Sequence, residues 1–274
     1  MGGLQGFSEL FPISSLGHSV ILPSILGWSI DQGANFFLVF LVATHVATSL
    51  VLFWFFREDW FRIIRGIFRS LGQREIRDPD AKLGWLLVVG TVPAGILGVT
   101  LEQRIKLLFA SPNIAAIFLA VNGLVLFTAE FLRRRHAQTH DQDSDSRIAK
   151  ISWVNSLAVG SMQALALIPG LSRTGSAMTG GLLVGLSHED AARYSFLLAT
   201  PVIMAAGVFK LPDLTLSGTS DLLGPILVGA VCSAVAAYFS VRFLTRYFKT
   251  NTLIPFAGYC LAAGVLSSLY LFLR

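Results

Sequence analysis

The chain has 274 residues, of which 54% are hydrophobic and 14% charged, and its mean hydropathy is +0.67. About a quarter of the residues of a soluble domain are charged, so this composition excludes an ordinary soluble protein and favours one that lies in a bilayer. The net charge of +5 does not indicate a nucleic-acid partner, because the lysines and arginines fall between apolar runs and form no single basic stripe.

The first apolar stretch, residues 1–30, is interrupted near its middle by the sequence PISSLG at residues 12–17. A non-helical segment at membrane depth is tolerated only where protein buries it or water reaches it. We therefore predict a re-entrant hairpin, in which two helical arms meet at a loop. Only 11 residues precede Pro12, which is short for a helical arm and predicts that residues are missing before Met1.

Six later runs approach the length of about 20 apolar residues that crosses a membrane. They are residues 36–56, 83–101, 113–132, 191–209, 222–241 and 253–273. Between the third and the fourth run, residues 151–187 form another apolar stretch, which is broken by the sequence PGLSRTG. We predict a second re-entrant hairpin there, for the same reason as in the first stretch.

Charges in the connections predict the orientation of these elements. The connections 57–82, 133–150 and 242–249 are rich in arginine and lysine, so we expect them on the cytoplasmic side, whereas residues 210–221 fit the outer side. Six spans then place both termini outside. The first hairpin enters the membrane from the outside and the second from the cytoplasm.

The broken stretches also resemble each other. Residues 5–18 read QGFSELFPISSLGH and residues 163–176 read QALALIPGLSRTGS, which places Ser15 and Ser172 at equivalent positions, 157 apart. An odd number of spans in each copy makes the copies inverted. We therefore predict an all-α integral membrane protein with six transmembrane helices and two re-entrant helical hairpins in an inverted repeat. It forms a single polytopic domain, residues 1–274, divided into repeat one (about 1–132), a cytoplasmic loop (about 133–150) and repeat two (about 151–274).

The first hairpin carries candidate catalytic residues. Gln5 and Glu9 are four positions apart and share one face of a helix. An ionisable residue at membrane depth is costly and therefore a functional candidate, although Glu9 could instead cap a helix or pair with an arginine. Ser15 and His18, three positions apart, could bring a hydroxyl and an imidazole within hydrogen-bond reach. Helix capping is the alternative for Ser14 and Ser15, and burial in the core is the alternative for His18.

The second hairpin carries a candidate anion site. An arginine flanked by hydroxyls and glycines at the start of a helix is typical of phosphate binding. The residues in this pattern are Ser172, Arg173, Thr174, Gly175 and Ser176. Ser14 of the first hairpin is a further candidate for binding phosphate. Arg173 could also pair with Glu9, and the two interpretations are compatible.

Both motifs resemble those of the undecaprenyl-diphosphate phosphatase family, also called the bacitracin-resistance phosphatases. Residues 5–18 are similar to its acidic element followed by Pro-x-Ser-Ser-x-Gly-His, and residues 169–174 are similar to its Pro-Gly-x-Ser-Arg-Ser motif. Two further segments, YSFLLATP at 194–201 and HVAT at 45–48, extend the resemblance along essentially the whole chain. Position 5 is Gln where many members have Glu, and Ala177 replaces the final Thr of the second motif.

The resemblance implies a bacterial plasma-membrane enzyme that hydrolyses undecaprenyl diphosphate to undecaprenyl phosphate and inorganic phosphate, recycling the lipid carrier for cell-wall synthesis. It implies that Glu9 and Gln5 bind a divalent cation, Mg²⁺ or Ca²⁺, and that Arg173 binds the diphosphate. Ser15 is the implied nucleophile and His18 its proton partner, while direct attack by water stays open.

Under this interpretation the site faces the outer side, the partners are the polyprenyl diphosphate and membrane lipids, and both a monomer and a homodimer stay open. The alternative is a transporter or flippase for an anionic lipid or solute, because inverted repeats with broken helices are typical of carriers. A carrier needs only the anion clamp, whereas Ser15 and His18 favour an enzyme.

Overall fold

The computed structural model describes residues 1–28, 35–101, 111–134, 147–215 and 223–273. Regular structure within these ranges is entirely helical. The α-helices are α1 (Gly2–Leu10), α2 (Ser15–Leu26), α3 (Asn35–Phe55), α4 (Arg57–Gln73), α5 (Pro79–Thr100), α6 (Pro112–Arg134), α7 (Trp153–Ala164), α8 (Arg173–Leu183), α9 (His188–Thr215), α10 (Leu223–Tyr247) and α11 (Ile254–Leu273), and a 3₁₀ helix covers Leu165–Leu167.

Each of the six predicted spans coincides with a long helix. By length and composition, α5, α6, α9, α10 and α11 can each cross a membrane, whereas α3 meets the same criterion only together with α4, across a bend of 82°. Large apolar side chains such as Phe239 on α10 and Leu266 on α11 are exposed, as expected where lipid replaces water. The described chain is therefore an all-helical protein with five to six candidate spans.

Helix α4 occupies a segment that the sequence analysis treated only as a connection. Its Ile63, Gly66 and Ser70 are buried, and α4 packs against α5. A Cβ at Gly66 would lie 2.6 Å from the backbone nitrogen of Ala81, so the helices approach closely there. Another face of α4 exposes large apolar side chains, namely Phe61, Ile64, Phe68 and Leu71.

Each predicted hairpin consists of two short helices separated by a break, α1 and α2 in the first and α7 and α8 in the second. Proline explains both breaks, because Pro12 and Pro169 lack the N–H that a continuing helix would need. Residues 135–146 of the predicted loop 133–150, and residues 216–221 of the predicted outer connection, lie outside the described residues.

The second helix of each hairpin is capped in the same way. The hydroxyl oxygens of Ser14 and Ser172 each accept a hydrogen bond of 3.1 Å from the backbone N–H three residues later. The equivalent capping residues are thus Ser14 and Ser172, and Ser15 and Arg173 each occupy the first helical position. The predicted equivalence of Ser15 and Ser172 is wrong by one residue, because a single loop residue shifts the register of the two copies.

The first arm of each hairpin packs against a candidate span through glycine. A Cβ added at Gly2 would overlap the carbonyl oxygen of Gly229 in α10, and one at Gly160 would overlap that of Gly90 in α5. Such contacts between small residues let helix backbones approach closely in an apolar environment. They hold both hairpins inside the bundle, where their loops meet.

Candidate active site

The loops of the two hairpins are joined by hydrogen bonds. Thr174 Oγ1 donates to the carbonyl oxygen of Glu9 at 3.0 Å, and Ser172 Oγ donates to that of Phe11 at 3.3 Å. Asn122 of α6 links both loops, since its Nδ2 donates to the Pro12 carbonyl and its Oδ1 accepts from Ser172 N, each at 3.0 Å. The sequence analysis missed Asn122, although a buried amide within an apolar run was the signal that could have identified it.

Glu9 lies at the centre of this junction, and only 6% of its surface is exposed. Its Oε1 accepts a hydrogen bond of 2.6 Å from Arg173 Nη2, so the predicted approach of these two residues is confirmed. Its Oε2 accepts from the hydroxyl of Ser15. A buried carboxylate needs such partners, because an unpaired charge in an apolar interior is strongly destabilising.

Ser15 points at Glu9 because it is the first residue of α2, directly after the Ser14 cap. The hydroxyl donates its proton to the carboxylate, and both side chains are buried. A serine hydroxyl is a weak nucleophile until a neighbouring base accepts its proton. In this geometry Glu9 is the base within reach of Ser15.

The predicted contact between Ser15 and His18 is not the one that the structure forms. His18 Nδ1 lies 2.7 Å from the carbonyl oxygen of Ser14, and Nε2 lies 2.7 Å from the hydroxyl of Tyr259 on α11. Both ring nitrogens are therefore engaged elsewhere. His18 lies in the first turn of α2, which begins at Ser15. Its side chain therefore reaches back to the carbonyl oxygen of Ser14 and not to the hydroxyl of Ser15.

His45 is a site residue to which the sequence analysis assigned no role. Its Nδ1 lies 2.7 Å from the carbonyl oxygen of Leu41, and its Nε2 lies 3.1 Å from Oε2 of Glu9. The Leu41 carbonyl can only accept, so Nδ1 carries a proton. While Glu9 is ionised, Nε2 must carry a proton as well, which makes the ring an imidazolium. Two cations, His45 and Arg173, then face one carboxylate, which leaves one positive charge in excess and suits an anion. A histidine inside an apolar span was the available signal.

Gln5 supports Glu9, and its amide oxygen is occupied. Gln5 Nε2 lies 3.4 Å from Glu9 Oε2, while Gln5 Oε1 accepts from Ser233 at 2.6 Å and from Thr48 at 3.4 Å. In this arrangement the amide nitrogen of Gln5 faces Glu9 and its oxygen faces Ser233, and the metal-binding role of Gln5 stays a prediction. No group of three His, Cys, Asp or Glu side chains suited to a metal occurs among the described residues.

The predicted phosphate-binding residues fall into two groups. Ser14, Ser172 and Thr174 make the cap and loop contacts described above, and the N–H of Gly175 donates to Ser172. Ser176 is buried on α8. Arg173 is different, because its Nη1 is buried and has no hydrogen-bond partner among the described residues. Among these residues, this N–H group can therefore take an additional acceptor.

A second polar cluster lies beyond the far end of α8 and lines a cavity of about 750 Å³. Its charges are matched by partners within the protein. Arg147 binds Asp190 through two hydrogen bonds of 2.6 and 3.1 Å, and His188 Nε2 lies 2.8 Å from Glu130. We regard this cluster as structural, because each of these charges has a partner within it.

The chain is similar over nearly its whole length to proteins of one family. The family model described as "Bacitracin resistance protein BacA" matches residues 1–266. A protein of Mycolicibacterium paratuberculosis and one of Mycobacterium avium, both named "Undecaprenyl-diphosphatase", are each 47% identical to this chain, and each alignment covers 100% of this chain and 96% of the relative. A Frankia alni protein named "Undecaprenyl-diphosphatase 2" is 41% identical over 97% of this chain and 94% of its own length.

Proposed function

Because the chain belongs to the bacitracin resistance protein BacA family, we propose that it is an undecaprenyl-diphosphatase. The enzyme cleaves the anhydride bond of undecaprenyl diphosphate and yields undecaprenyl phosphate and inorganic phosphate. The reaction takes place in a membrane protein, which suits a substrate with a long polyprenyl tail. It regenerates the lipid carrier for cell-wall synthesis.

The contact that carries this proposal is the hydrogen bond from Ser15 to Glu9, whose other carboxylate oxygen binds Arg173. A transporter needs a clamp for the anion, but it has no use for a hydroxyl paired with a base. The combination of a nucleophile, a base and a guanidinium therefore supports hydrolysis over transport.

The described residues support a two-step reaction. The free Nη1 of Arg173 binds the terminal phosphate, and Glu9 takes the proton from Ser15 as its oxygen attacks the terminal phosphorus. The bond to the bridging oxygen breaks, and undecaprenyl phosphate leaves with the proton that Glu9 returns. Water, deprotonated by Glu9, then attacks the phosphorus of the phosphoserine. The bond to Oγ of Ser15 breaks, Glu9 returns the proton to that oxygen, and inorganic phosphate is released. His45 and Arg173 stabilise the charge on the phosphate.

The direct test is phosphate release from undecaprenyl diphosphate by the purified protein in detergent. We expect one inorganic phosphate for each lipid consumed, with undecaprenyl phosphate as the other product. A mock purification from cells that do not express the protein controls for contaminating phosphatases. A wild-type protein that binds the lipid without releasing phosphate would overturn the proposed function.

The described side chains supply only part of the ligand set that a divalent cation needs. Glu9 is the carboxylate available to hold Mg²⁺ or Ca²⁺, and phosphate oxygens of the substrate would complete the oxygen ligands that these ions prefer. When bound, the cation neutralises negative charge on the diphosphate, which would otherwise repel Glu9.

We therefore expect exhaustive chelation to lower the rate of phosphate release by at least about tenfold, since charge neutralisation by a metal contributes several kcal/mol. Added Mg²⁺ or Ca²⁺ should restore the rate. The measurement is turnover with chelator alone and with chelator plus excess cation. Undiminished turnover in the chelated sample would show that Arg173 and His45 neutralise the substrate without a metal.

We also propose that the helices form six spans and two re-entrant hairpins in an inverted repeat, with repeats at about 1–132 and 151–274. The paired glycine contacts of α1 with α10 and of α7 with α5 support this arrangement. Helix α4 then lies along the cytoplasmic membrane surface, because it is bent by 82° from α3 and exposes an apolar face. The active site opens toward the outer side of the plasma membrane.

Single cysteines test this orientation. In a chain with Cys232 and Cys260 replaced by alanine, Asn113→Cys and Thr250→Cys each place a thiol at an exposed position. Asn113 lies at the start of α6, which we place outside, and Thr250 follows α10, which we place in the cytoplasm. An impermeant thiol reagent should label Asn113→Cys in intact cells and Thr250→Cys only after permeabilisation. The reverse pattern would invert the topology.

A further inference from the structure

Ser14, directly before the proposed nucleophile, has an unusual backbone conformation. Its φ is +68° and its ψ is +94°, in a region that residues with a side chain rarely adopt. The other described non-glycine residue with positive φ, Arg74, ends a helix in the ordinary left-handed conformation. Such backbone strain persists only where surrounding contacts hold it, and it concentrates at functional sites.

The strain is confined to the hairpin that carries Ser15. Ser172, the equivalent cap in the second hairpin, has φ −88° and ψ 125°, which is ordinary extended backbone. Both serines cap their helix through the same side-chain hydrogen bond. The cap therefore does not require the positive φ, and another contact must hold Ser14 in its conformation.

His18 provides that contact. The carbonyl oxygen of Ser14 accepts from the backbone N–H of His18 at 3.2 Å and from His18 Nδ1 at 2.7 Å. Because a carbonyl can only accept, Nδ1 must carry the proton. Rotating the Ser14 peptide would break both bonds and would turn Ser15 away from Glu9.

Tyr259 holds the other ring nitrogen of His18. The Tyr259 hydroxyl lies 2.7 Å from Nε2, which must accept if Nδ1 holds the proton in the neutral ring. The two rings are stacked, with centroids 5.7 Å apart and planes inclined by 9°. Tyr259 lies on α11, 241 positions from His18 in the sequence. Its hydroxyl completes a series of contacts that runs through His18 to the backbone of Ser14.

We infer that Tyr259 is a positioning residue for the proposed phosphatase reaction, which acts through His18 and the Ser14 backbone to hold the Ser15 hydroxyl against Glu9. Tyr259 touches neither Ser15 nor Glu9 through any hydrogen bond described above. The inference rests on the proposed function, but its structural part, the hydrogen bond between Tyr259 and Nε2 of His18, can be measured without substrate.

The first experiment compares Tyr259→Phe with wild-type protein. Phenylalanine keeps the stacked ring and removes the donor. We expect kcat to fall about 10- to 100-fold, the usual cost of losing an outer partner of an active-site histidine, with KM changed less than about twofold. Tyr270→Phe is the matched control, because Tyr270 lies on the same helix and is exposed to 46%, close to the 47% of Tyr259.

The second measurement is ¹⁵N NMR of the histidine ring nitrogens, with His18 assigned from a His18→Gln sample. Wild-type protein should show the His18 proton on Nδ1 and an Nε2 resonance shifted by the hydrogen bond from Tyr259, and Tyr259→Phe should lose that shift. An unchanged Nε2 resonance, a changed resonance with unchanged kcat, or a rise in KM alone would each overturn the inference. If wild-type protein released no phosphate but Tyr259→Phe changed the Nε2 resonance, the proposed function would fail separately.

A third variant tests whether the effect passes through Ser14. Glycine adopts positive φ readily, so Ser14→Gly should reduce the dependence on Tyr259. We expect Tyr259→Phe to lower kcat less in the Ser14→Gly background than in the wild-type background. If Tyr259→Phe lowered kcat by the same factor in both backgrounds, Tyr259 would not act through the Ser14 backbone.

Discussion

Replacing Ser15 by alanine should lower the rate of phosphate release by about 10²- to 10⁴-fold, and Glu9→Gln should cost a similar factor, since Glu9 is its proposed general base. The two residues share one hydrogen bond, so they should behave as a unit. The Ser15→Ala, Glu9→Gln double variant should therefore lose little more than either single variant. Initial rates of all three proteins under saturating substrate measure this coupling.

Ser19→Ala provides the control for this cycle. Ser19 is a buried serine on the same helix, four residues after Ser15, so its replacement removes the same atom without touching Glu9. It should retain the wild-type rate. A Ser15→Ala protein that keeps a substantial rate, or losses that multiply in the double variant, would indicate direct attack by water, with Ser15 as a phosphate ligand only.

The Arg173→Lys variant should lose about 10²- to 10³-fold in phosphate release, even though lysine keeps the positive charge. Arg173 binds Glu9 through Nη2 and leaves Nη1 for the substrate, and a lysine ammonium cannot reproduce this planar pair of donors. Most of the loss should appear in kcat, because the phosphate gains negative charge as the bond to the bridging oxygen breaks. Steady-state kinetics with undecaprenyl diphosphate separate kcat from KM.

Arg147→Lys is the matched control for Arg173→Lys. Arg147 also pairs with a buried carboxylate, Asp190, but it belongs to the second cluster beyond α8. Both variants should lower thermal stability by a comparable amount, because each weakens a buried ion pair. Only Arg173→Lys should lower the rate of the folded protein. Near-wild-type activity of Arg173→Lys would show that another group binds the phosphate.

Local features of the sequence were sufficient to predict the helical framework and the principal site residues. Pro12 and Pro169 break apolar stretches, and a helix break in a bilayer is costly unless it serves a purpose. Charged residues such as Glu9 and Arg173 stand out for the same reason. Their pairing was predictable because opposite charges that are buried in an apolar interior stabilise each other.

The amphipathic helix α4 and the exact register of the two copies were not predictable in the same way. Helix α4 is too polar to resemble a span, and it is stabilised by packing Gly66 and Ile63 against α5. The alignment of the two hairpin sequences shifts by one position because their loops differ in length by one residue. Only the capping hydrogen bonds of Ser14 and Ser172 identified the equivalent positions.

The sequence by itself indicated most of the candidate site residues, because proline breaks, charges in apolar segments and clustered hydroxyls are local signals in an apolar chain. The tertiary structure alone decided how they pair. Ser15 binds Glu9 while His18 binds Tyr259, and His45 adds a second cation, because helices distant in sequence bring these groups together. The physical reason is that a hydrogen bond depends on distance and direction in space, and spacing along the chain specifies these only within a single helix.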